Sequence, residues 1–219
     1  MQDGRSIALA VVATLMVIWY FAVHRKRSRF MISNTRLVGS SVDGMQYRVF
    51  GAGDTASASA DALADLNARV IDIMRVLRDQ YVRAPPSPGQ TATQRTAVTR
   101  LLERYNPDNI VENSPRDPDR DTAYTIDKGK VLALCIRDRA ANAIYDPDLL
   151  LFVTLHEMAH IAIEDTTHSD EFWSTFRFLL EAAVAAGLYT STDYARAPRM
   201  YCGLKVEHSP LWDPAIRSI

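Results

Sequence analysis

One stretch of this chain is so apolar that any fold must place it in its interior. Residues 149–163 read LLLFVTLHEMAHIAI, and a helix that is hydrophobic on all sides is stable only when other elements surround it. Directly before it, Asp146-Pro147-Asp148 offers a capping side chain, a proline suited to the first helical position and an acid at the positive end of the helix dipole. The sequence therefore predicts a buried helix that begins near Pro147.

The polar residues of this helix have the spacing of a metal site. His156 and His160 are four residues apart, so both imidazoles leave one face of the helix and can reach a single zinc ion. Glu157 follows His156, and its carboxylate can accept a proton from a water on such a metal. A core helix that merely packs these three residues is disfavoured, because a buried carboxylate needs a partner. We therefore predict Zn²⁺ as the cofactor, His156 and His160 as metal ligands, and Glu157 as the catalytic residue.

A hydrolytic zinc site usually has three protein ligands and one open position. His168 is the predicted third ligand, because it follows His160 by eight residues, beyond a polar stretch that can turn the chain back. The acidic alternatives that the sequence leaves open are Glu164, Asp165, Asp170 and Glu181. The two other histidines, His24 and His208, are interpreted as a membrane-interface residue and a surface residue.

The remaining segments predict an α+β domain. Hydrophobic periodicity indicates helices over residues 61–82, 93–105 and 171–186. Residues 122–127 and 130–137 flank a turn with a glycine, which predicts a β-hairpin, and residues 46–50 are a candidate short strand. Glycine and serine are frequent in residues 31–60, which are predicted to be a linker, so the domain is expected over residues 61–219.

The N-terminus carries a different signal. Residues 7–23 are an unbroken run of 17 residues in which Thr14 is the only polar one, enough for a helix of ~25 Å, near the lower limit for crossing a bilayer. Four basic residues follow the run within six positions. This order predicts a transmembrane anchor over residues 1–30 with the C-terminal domain on the cytosolic side. A cleaved signal peptide would carry its positive charge before the run instead.

Charge and cysteine content exclude several functions. The residues after position 30 include 20 basic and 25 acidic side chains, which argues against nucleic acid as a partner, because phosphate contacts need Lys and Arg. Cys135 and Cys202 are the only cysteines, so a disulfide scaffold and a zinc ribbon are both excluded by count. They are interpreted as two buried thiols.

The segment around the histidines resembles a known family. His156-Glu-Met-Ala-His160, followed by His168-Ser-Asp-Glu-Phe-Trp173, is similar to the WLM and SprT-like minimal zinc metallopeptidases. A hairpin strand like residues 130–137 also precedes the metal helix in that family. The resemblance covers roughly residues 120–187, about a third of the chain. It implies a small zincin-like fold, zinc ligation by His156, His160 and His168, and Glu157 as general base and acid.

Together these features predict a membrane-anchored zinc metallopeptidase that hydrolyses peptide bonds with a metal-activated water and takes a protein or peptide as its substrate. Candidates for stabilising the oxyanion are Tyr189, Tyr194 and Tyr201. Two other functions remain open: a non-peptidase zinc hydrolase, and a zinc-stabilised, membrane-tethered interaction module without turnover. The family's action on protein crosslinked to DNA is not expected, because the body of the chain is acidic and lacks a cysteine-rich zinc module.

Overall fold

A mixed sheet and the helices that cover it form the core of the domain. The computed structural model describes residues 35–113, 122–138 and 140–219. In these ranges the larger sheet comprises β1 (Arg36–Gly39), β2 (Gln46–Val49), β3 (Ile110–Glu112), β4 (Ala123–Ile126) and β5 (Val131–Leu134). The α-helices are α1 (Asp54–Arg78), α2 (Ala92–Arg104), α3 (Pro147–Ala162) and α4 (Asp170–Ala185), and a small sheet contains β6 (Arg199–Tyr201) and β7 (Leu204–Val206).

The larger sheet has the strand order β1-β2-β3-β5-β4. β3 lies parallel to both β2 and β5, whereas β4 and β5 form the predicted antiparallel hairpin, with Ala123 opposite Leu134 and Ile126 opposite Val131. Parallel neighbours need a crossover connection, and α1 and α2 make the one between β2 and β3. The α+β character that the sequence predicts is therefore present in the described residues.

The apolar helix α3 lies in the interior, as predicted. It packs against α1, α2, α4 and β4, and twelve of its 16 residues are buried. Asp146 caps its first turn by accepting hydrogen bonds from the backbone N–H groups of Asp148 and Leu149. Arg69 of α1 donates to the Pro147 carbonyl oxygen and to the Asp148 carboxylate. The start of α3 is thus fixed both by its own cap and by a neighbouring helix.

The N-terminal part of the domain differs from the prediction. The described part of residues 31–60, predicted as a linker, contains β1, β2 and the beginning of α1. α1 starts seven residues earlier than its hydrophobic periodicity indicates. The pattern misses the first two turns because their buried residues, Ala56, Ser59 and Ala60, are small and do not form a hydrophobic stripe. At its other end, the predicted helix changes into a π-helical turn over Asp79–Arg83.

The predicted fold with a transmembrane helix ahead of the domain is corrected. Among the residues that the structure describes, no helix is both long enough and apolar enough to span a bilayer. α1 has 25 residues but carries charged side chains along its length, and α3 is apolar but has only 16 residues, fewer than the ~20 that a bilayer core requires. The proposed anchor over residues 1–30 lies outside the described residues.

The two cysteines are paired. Cys135 follows β5 and Cys202 lies in the turn between β6 and β7, and they form a disulfide with a Cα–Cα distance of 6.4 Å. Both side chains are buried, as predicted, but the interpretation as two separate thiols is wrong. Their sequence separation of 67 explains why no local motif indicates the pairing. The disulfide joins the small sheet to the end of the larger one.

Candidate metal centre

Three histidine side chains converge at the C-terminal half of α3. His156 and His160 leave one face of the helix, and His168 approaches them from the loop between α3 and α4. The Nε2 atom of His168 lies 3.1 Å from Nε2 of His156 and 3.3 Å from Nε2 of His160. The structure therefore brings together the three residues that the sequence predicts as metal ligands.

The spacing of these nitrogen atoms fits one zinc ion. Two nitrogens that each lie ~2.05 Å from a tetrahedral zinc are ~3.3 Å apart, and the two separations here are 3.1 and 3.3 Å. Hydrogen bonding does not explain both contacts of His168, because Nε2 of a neutral imidazole either donates one hydrogen or offers one lone pair. A three-nitrogen set also leaves the fourth tetrahedral position open. The chemistry and spacing of the donors thus fit one zinc ion with three protein ligands.

Short-range hydrogen bonds return the chain from His160 to His168. The Asp165 carboxylate accepts hydrogen bonds from the backbone N–H and the hydroxyl of Thr167. Ser169 then caps α4, as a serine before a helix is expected to do. His168 stands between these two turns, so its position is determined by the loop and by the start of α4 together.

The surroundings of His156 and His160 favour the neutral form of these two side chains. Burial, and after it the charges of His160 and His168, lowers the pKa of His156 to about 3. Burial is also the largest cause that lowers the pKa of His160 to about 4, followed by the charges of His168 and Lys128. A metal binds the lone pair of a neutral imidazole. At neutral pH these two side chains can therefore bind a cation without first releasing a proton.

Aromatic rings line one side of the cluster. Phe172, which is fully buried at the start of α4, has its ring centroid 4.3 to 4.8 Å from those of all three imidazoles. Phe176 lies 5.3 Å from His156, and Trp173 lies 5.8 Å from His168. This apolar face of α4 packs against α3. Packed rings restrict the rotation of the imidazoles and keep water away from that side.

Glu157 is buried next to the histidines, with 7% of its surface exposed. It lies close enough to Tyr201 of β6 that its charge, after the larger effect of burial, raises the pKa of the Tyr201 hydroxyl well above its usual value. Two of the three tyrosines predicted as oxyanion candidates, Tyr189 and Tyr194, instead have their rings against Phe152. The structure thus brings one of the three, Tyr201, near Glu157.

The four acidic alternatives to His168 lie outside the cluster in the part of the chain that the structure describes. Glu164 and Glu181 form ion pairs with arginine side chains, and Asp165 accepts hydrogen bonds within its own loop. Asp170 lies in the first turn of α4, where a carboxylate interacts favourably with the helix dipole. His168 is accordingly the third ligand that the geometry supports.

The two remaining histidines are separate from the cluster. His208 is exposed, with its Nε2 atom 3.1 Å from a carboxylate oxygen of Asp213 and its ring against Trp173. This agrees with its predicted surface position. His24 lies outside the described residues.

Sequence reasoning missed two basic residues beside the centre. Lys128, in the turn between β4 and β5, and Arg104, at the end of α2, donate hydrogen bonds to backbone carbonyl oxygens at the C-terminal end of α3. Every residue has a carbonyl oxygen, so no sequence pattern marks such acceptors. The only available signal was the presence of two lysines, Lys128 and Lys130, in the predicted turn.

The fold and the site define a class: an α+β protein in which two histidines and a buried glutamate of one helix lie beside a third histidine from the loop that follows. The chain is 33% identical over 146 residues to "Uncharacterized protein R325" of Acanthamoeba polyphaga mimivirus, an alignment that covers 65% of this chain and 70% of the viral protein. The chain belongs to the family of that mimivirus protein.

Two iridescent-virus proteins are also similar. Identity is 38% over 105 residues to "Uncharacterized protein 042R" of Invertebrate iridescent virus 3, and 32% over 111 residues to "Uncharacterized protein 136R" of Invertebrate iridescent virus 6. These alignments cover 47% and 49% of this chain, and 62% and 58% of the respective viral proteins. No protein-family profile and no solved structure matches the chain.

Proposed function

We propose that this protein is a zinc-dependent metallopeptidase. One observation carries the proposal: Nε2 of His168 lies 3.1 Å from Nε2 of His156 and 3.3 Å from Nε2 of His160. The helix that bears these two partners also bears the buried Glu157. Structural zinc sites usually have four protein ligands, whereas hydrolytic sites keep one position open. Three imidazoles with an adjacent carboxylate therefore favour hydrolysis over a purely structural role.

The chain's own residues would hold the metal and define its open side. His156 and His160 are half-buried against α4 and His168 is exposed, so substrate reaches the centre from the side of His168. A bound zinc ion would act as a Lewis acid that polarises a carbonyl group and lowers the pKa of its bound water to ~7. The neutral imidazoles of His156 and His160 keep their lone pairs for the metal at that pH.

Glu157 performs the proton transfers in this proposal. Its carboxylate accepts a proton as the nucleophile forms and passes that proton to the leaving amine. A carboxylate with little exposure to water acts in a medium of low dielectric constant, where its charge interacts more strongly with nearby groups. Removing such a group typically slows catalysis by ~10²–10⁴-fold.

Peptide bonds are the proposed substrate because of the resemblance to the WLM and SprT-like metallopeptidases. The resemblance rests on the three histidines, Glu157 and the acidic-aromatic start of α4. The names of the viral relatives add no substrate. A non-peptide amide or an ester would fit the same chemistry, so the test must include all three kinds of bond.

Glu157→Gln in the full chain tests the proposal most directly, with His160→Ala for comparison. We expect about one zinc per wild-type chain by elemental analysis, retained in Glu157→Gln and lost in His160→Ala. We expect Glu157→Gln to cleave an unfolded protein at least ~100-fold more slowly than wild type, because the amide cannot accept the proton. Circular dichroism of each variant shows whether the fold is kept.

Each contrary outcome has a distinct meaning. Hydrolysis of small amides or esters without cleavage of unfolded protein would assign the centre to a non-peptidase hydrolase. Equal function of wild type and Glu157→Gln would favour an interaction module in which zinc only stabilises the fold. A folded wild-type chain that takes up no zinc on reconstitution would refute the proposal altogether.

A further inference from the structure

The Lys128 side chain meets four backbone carbonyl groups next to the histidine cluster. Its Nζ atom lies 3.2 Å from the oxygen of His160, 3.1 Å from that of Ile163, 3.0 Å from that of Glu164 and 3.1 Å from that of Asp165. An ammonium group has three hydrogens, so the four oxygens share them. The ammonium is therefore held on the backbone segment that leads from His160 towards His168.

The contact with His160 falls on the last turn of α3, and the other three contacts fall on the loop that follows the helix. The last four carbonyl groups of an α-helix have no N–H donor from a following turn, and together they form the negative end of the helix dipole. His160 belongs to this last turn. Arg104 completes the arrangement, since it donates to the carbonyl oxygens of Ile161 and Ile163 and pairs with the Glu164 carboxylate. Two cations from different elements thus fix the end of the metal helix.

The turn that presents Lys128 has an uncommon backbone conformation. Asp127, Lys128 and Gly129 have φ values of 48°, 53° and 107°. Few non-glycine residues adopt this left-handed region, and such strain persists only where surrounding contacts hold it. The turn also lies directly on the helices, because a Cβ atom at Gly129 would be 2.9 Å from the Arg104 carbonyl oxygen and 3.1 Å from side-chain atoms of Ile161.

From these contacts we infer that Lys128 is a positioning residue of the metal centre. Its ammonium contacts the backbone of His160 and the first three residues of the loop that returns His168, so it sets the separation of the two ligands. Asp165 extends this restraint, because its carbonyl is held by Lys128 while its carboxylate holds Thr167, next to His168. The inference rests on the proposed zinc site. Loss of groups that orient metal ligands typically lowers metal affinity by ~10–100-fold.

Lys128→Met tests the inference, because it keeps an unbranched apolar side chain as far as Cε and removes the ammonium. Lys130→Met is the matched control: it lies in the same turn, its side chain is 74% exposed, and its Nζ atom is 3.6 Å from the Asp127 carboxylate. The zinc dissociation constant of the full chain is measured by chelator competition. We expect it to rise ~10–100-fold in Lys128→Met and to stay within about twofold of wild type in Lys130→Met, where only a surface ion pair is lost.

Two further measurements separate positioning from stability. Urea unfolding without zinc shows whether Lys128→Met is folded under the conditions of the binding measurement. The absorption spectrum of the cobalt-substituted chain reports the geometry of the metal ligands. We expect an altered cobalt spectrum for Lys128→Met alone. Should that variant not fold, Lys128→Gln, which keeps two N–H donors but loses the charge, is compared in the same way, with an expected loss of affinity that is smaller but measurable.

Wild-type zinc affinity and an unchanged cobalt spectrum in a folded Lys128 variant would overturn the inference, even if the variant unfolds at lower urea, because Lys128 would then stabilise the fold only. Failure of the wild-type chain to bind zinc would instead refute the proposed function before any variant is compared.

Discussion

The disulfide between Cys135 and Cys202 yields a quantitative prediction about stability. A cross-link raises the free energy of unfolding chiefly because it restricts the unfolded chain, and the effect grows with the number of residues enclosed. The perturbation is reduction of the wild-type disulfide, or its removal in the double variant Cys135→Ala with Cys202→Ala. Both cysteines are buried, and alanine is small enough to replace either without overpacking.

The magnitude follows from the sequence separation of 67 between the two cysteines. The chain-entropy relation for a loop of this length predicts a contribution of ~4 kcal/mol at room temperature. With a urea slope of roughly 2 kcal/mol per molar, loss of the disulfide lowers the unfolding midpoint by ~2 M. This is a large share of the 5–15 kcal/mol typical of folded domains.

Urea unfolding of the oxidised wild type, the reduced wild type and the double alanine variant measures the effect, with a chelator present in all samples so that zinc does not contribute. We expect the reduced wild type and the double variant to unfold at similar urea concentrations, both well below the oxidised wild type. The double variant is also the control for the reductant, which should leave its midpoint unchanged.

Two results would refute this reasoning. One is an unfolding midpoint of the wild type that does not respond to reductant. The other is the reaction of two thiols per chain with a thiol reagent after unfolding without reduction, which would mean that the cysteines are not bonded to each other in the purified protein.

Further substitutions test the packing around α3. Gly129→Ala should lower the free energy of unfolding by ~1–3 kcal/mol, because φ at Gly129 is 107° and the new Cβ would lie 2.9 Å from the Arg104 carbonyl oxygen. Gly39→Ala is the control and should change this free energy little, because no atom lies within 4 Å of its Cβ position. Urea unfolding compares the two variants, and equal midpoints would contradict the prediction. Phe172→Ala should lower the free energy of unfolding by ~3–5 kcal/mol, because the fully buried ring packs against all three imidazoles. Val184→Ala, on the same helix at a residue that is 41% exposed, should lower it far less. Thermal unfolding without zinc compares the two variants, and similar losses would argue against a packing role for Phe172.

The features that sequence reasoning predicts well are local in the chain. His156, His160 and His168 lie within 13 consecutive positions, so helical spacing and one short loop suffice to bring them together. The β4–β5 hairpin is predicted for the same reason, since its strands are adjacent and its turn contains Gly129. Asp146 and Pro147 mark the start of α3 by capping preferences that depend on neighbouring residues only.

The features that it misses depend on residues far apart in the chain. β1 is four residues long with three of them exposed, so it has no alternating pattern. β2 pairs with β3 through Arg48 and Val111, and the whole of α1 and α2 lies between these two residues in the sequence. Cysteine pairing over 67 residues has no sequence signature, and neither has the contact of Lys128 with backbone oxygens. Packing in three dimensions decides such contacts, and periodicity cannot report them.

The disulfide also has a topological consequence for the site. His156, Glu157, His160 and His168 all lie between Cys135 and Cys202 in the sequence, so the cross-link closes a covalent ring that contains every proposed ligand and the proposed base. A single peptide-bond cut anywhere in this ring leaves both pieces joined through the cystine. The nicked molecule still carries all three imidazoles on one covalent unit, and the two pieces separate when the disulfide is reduced.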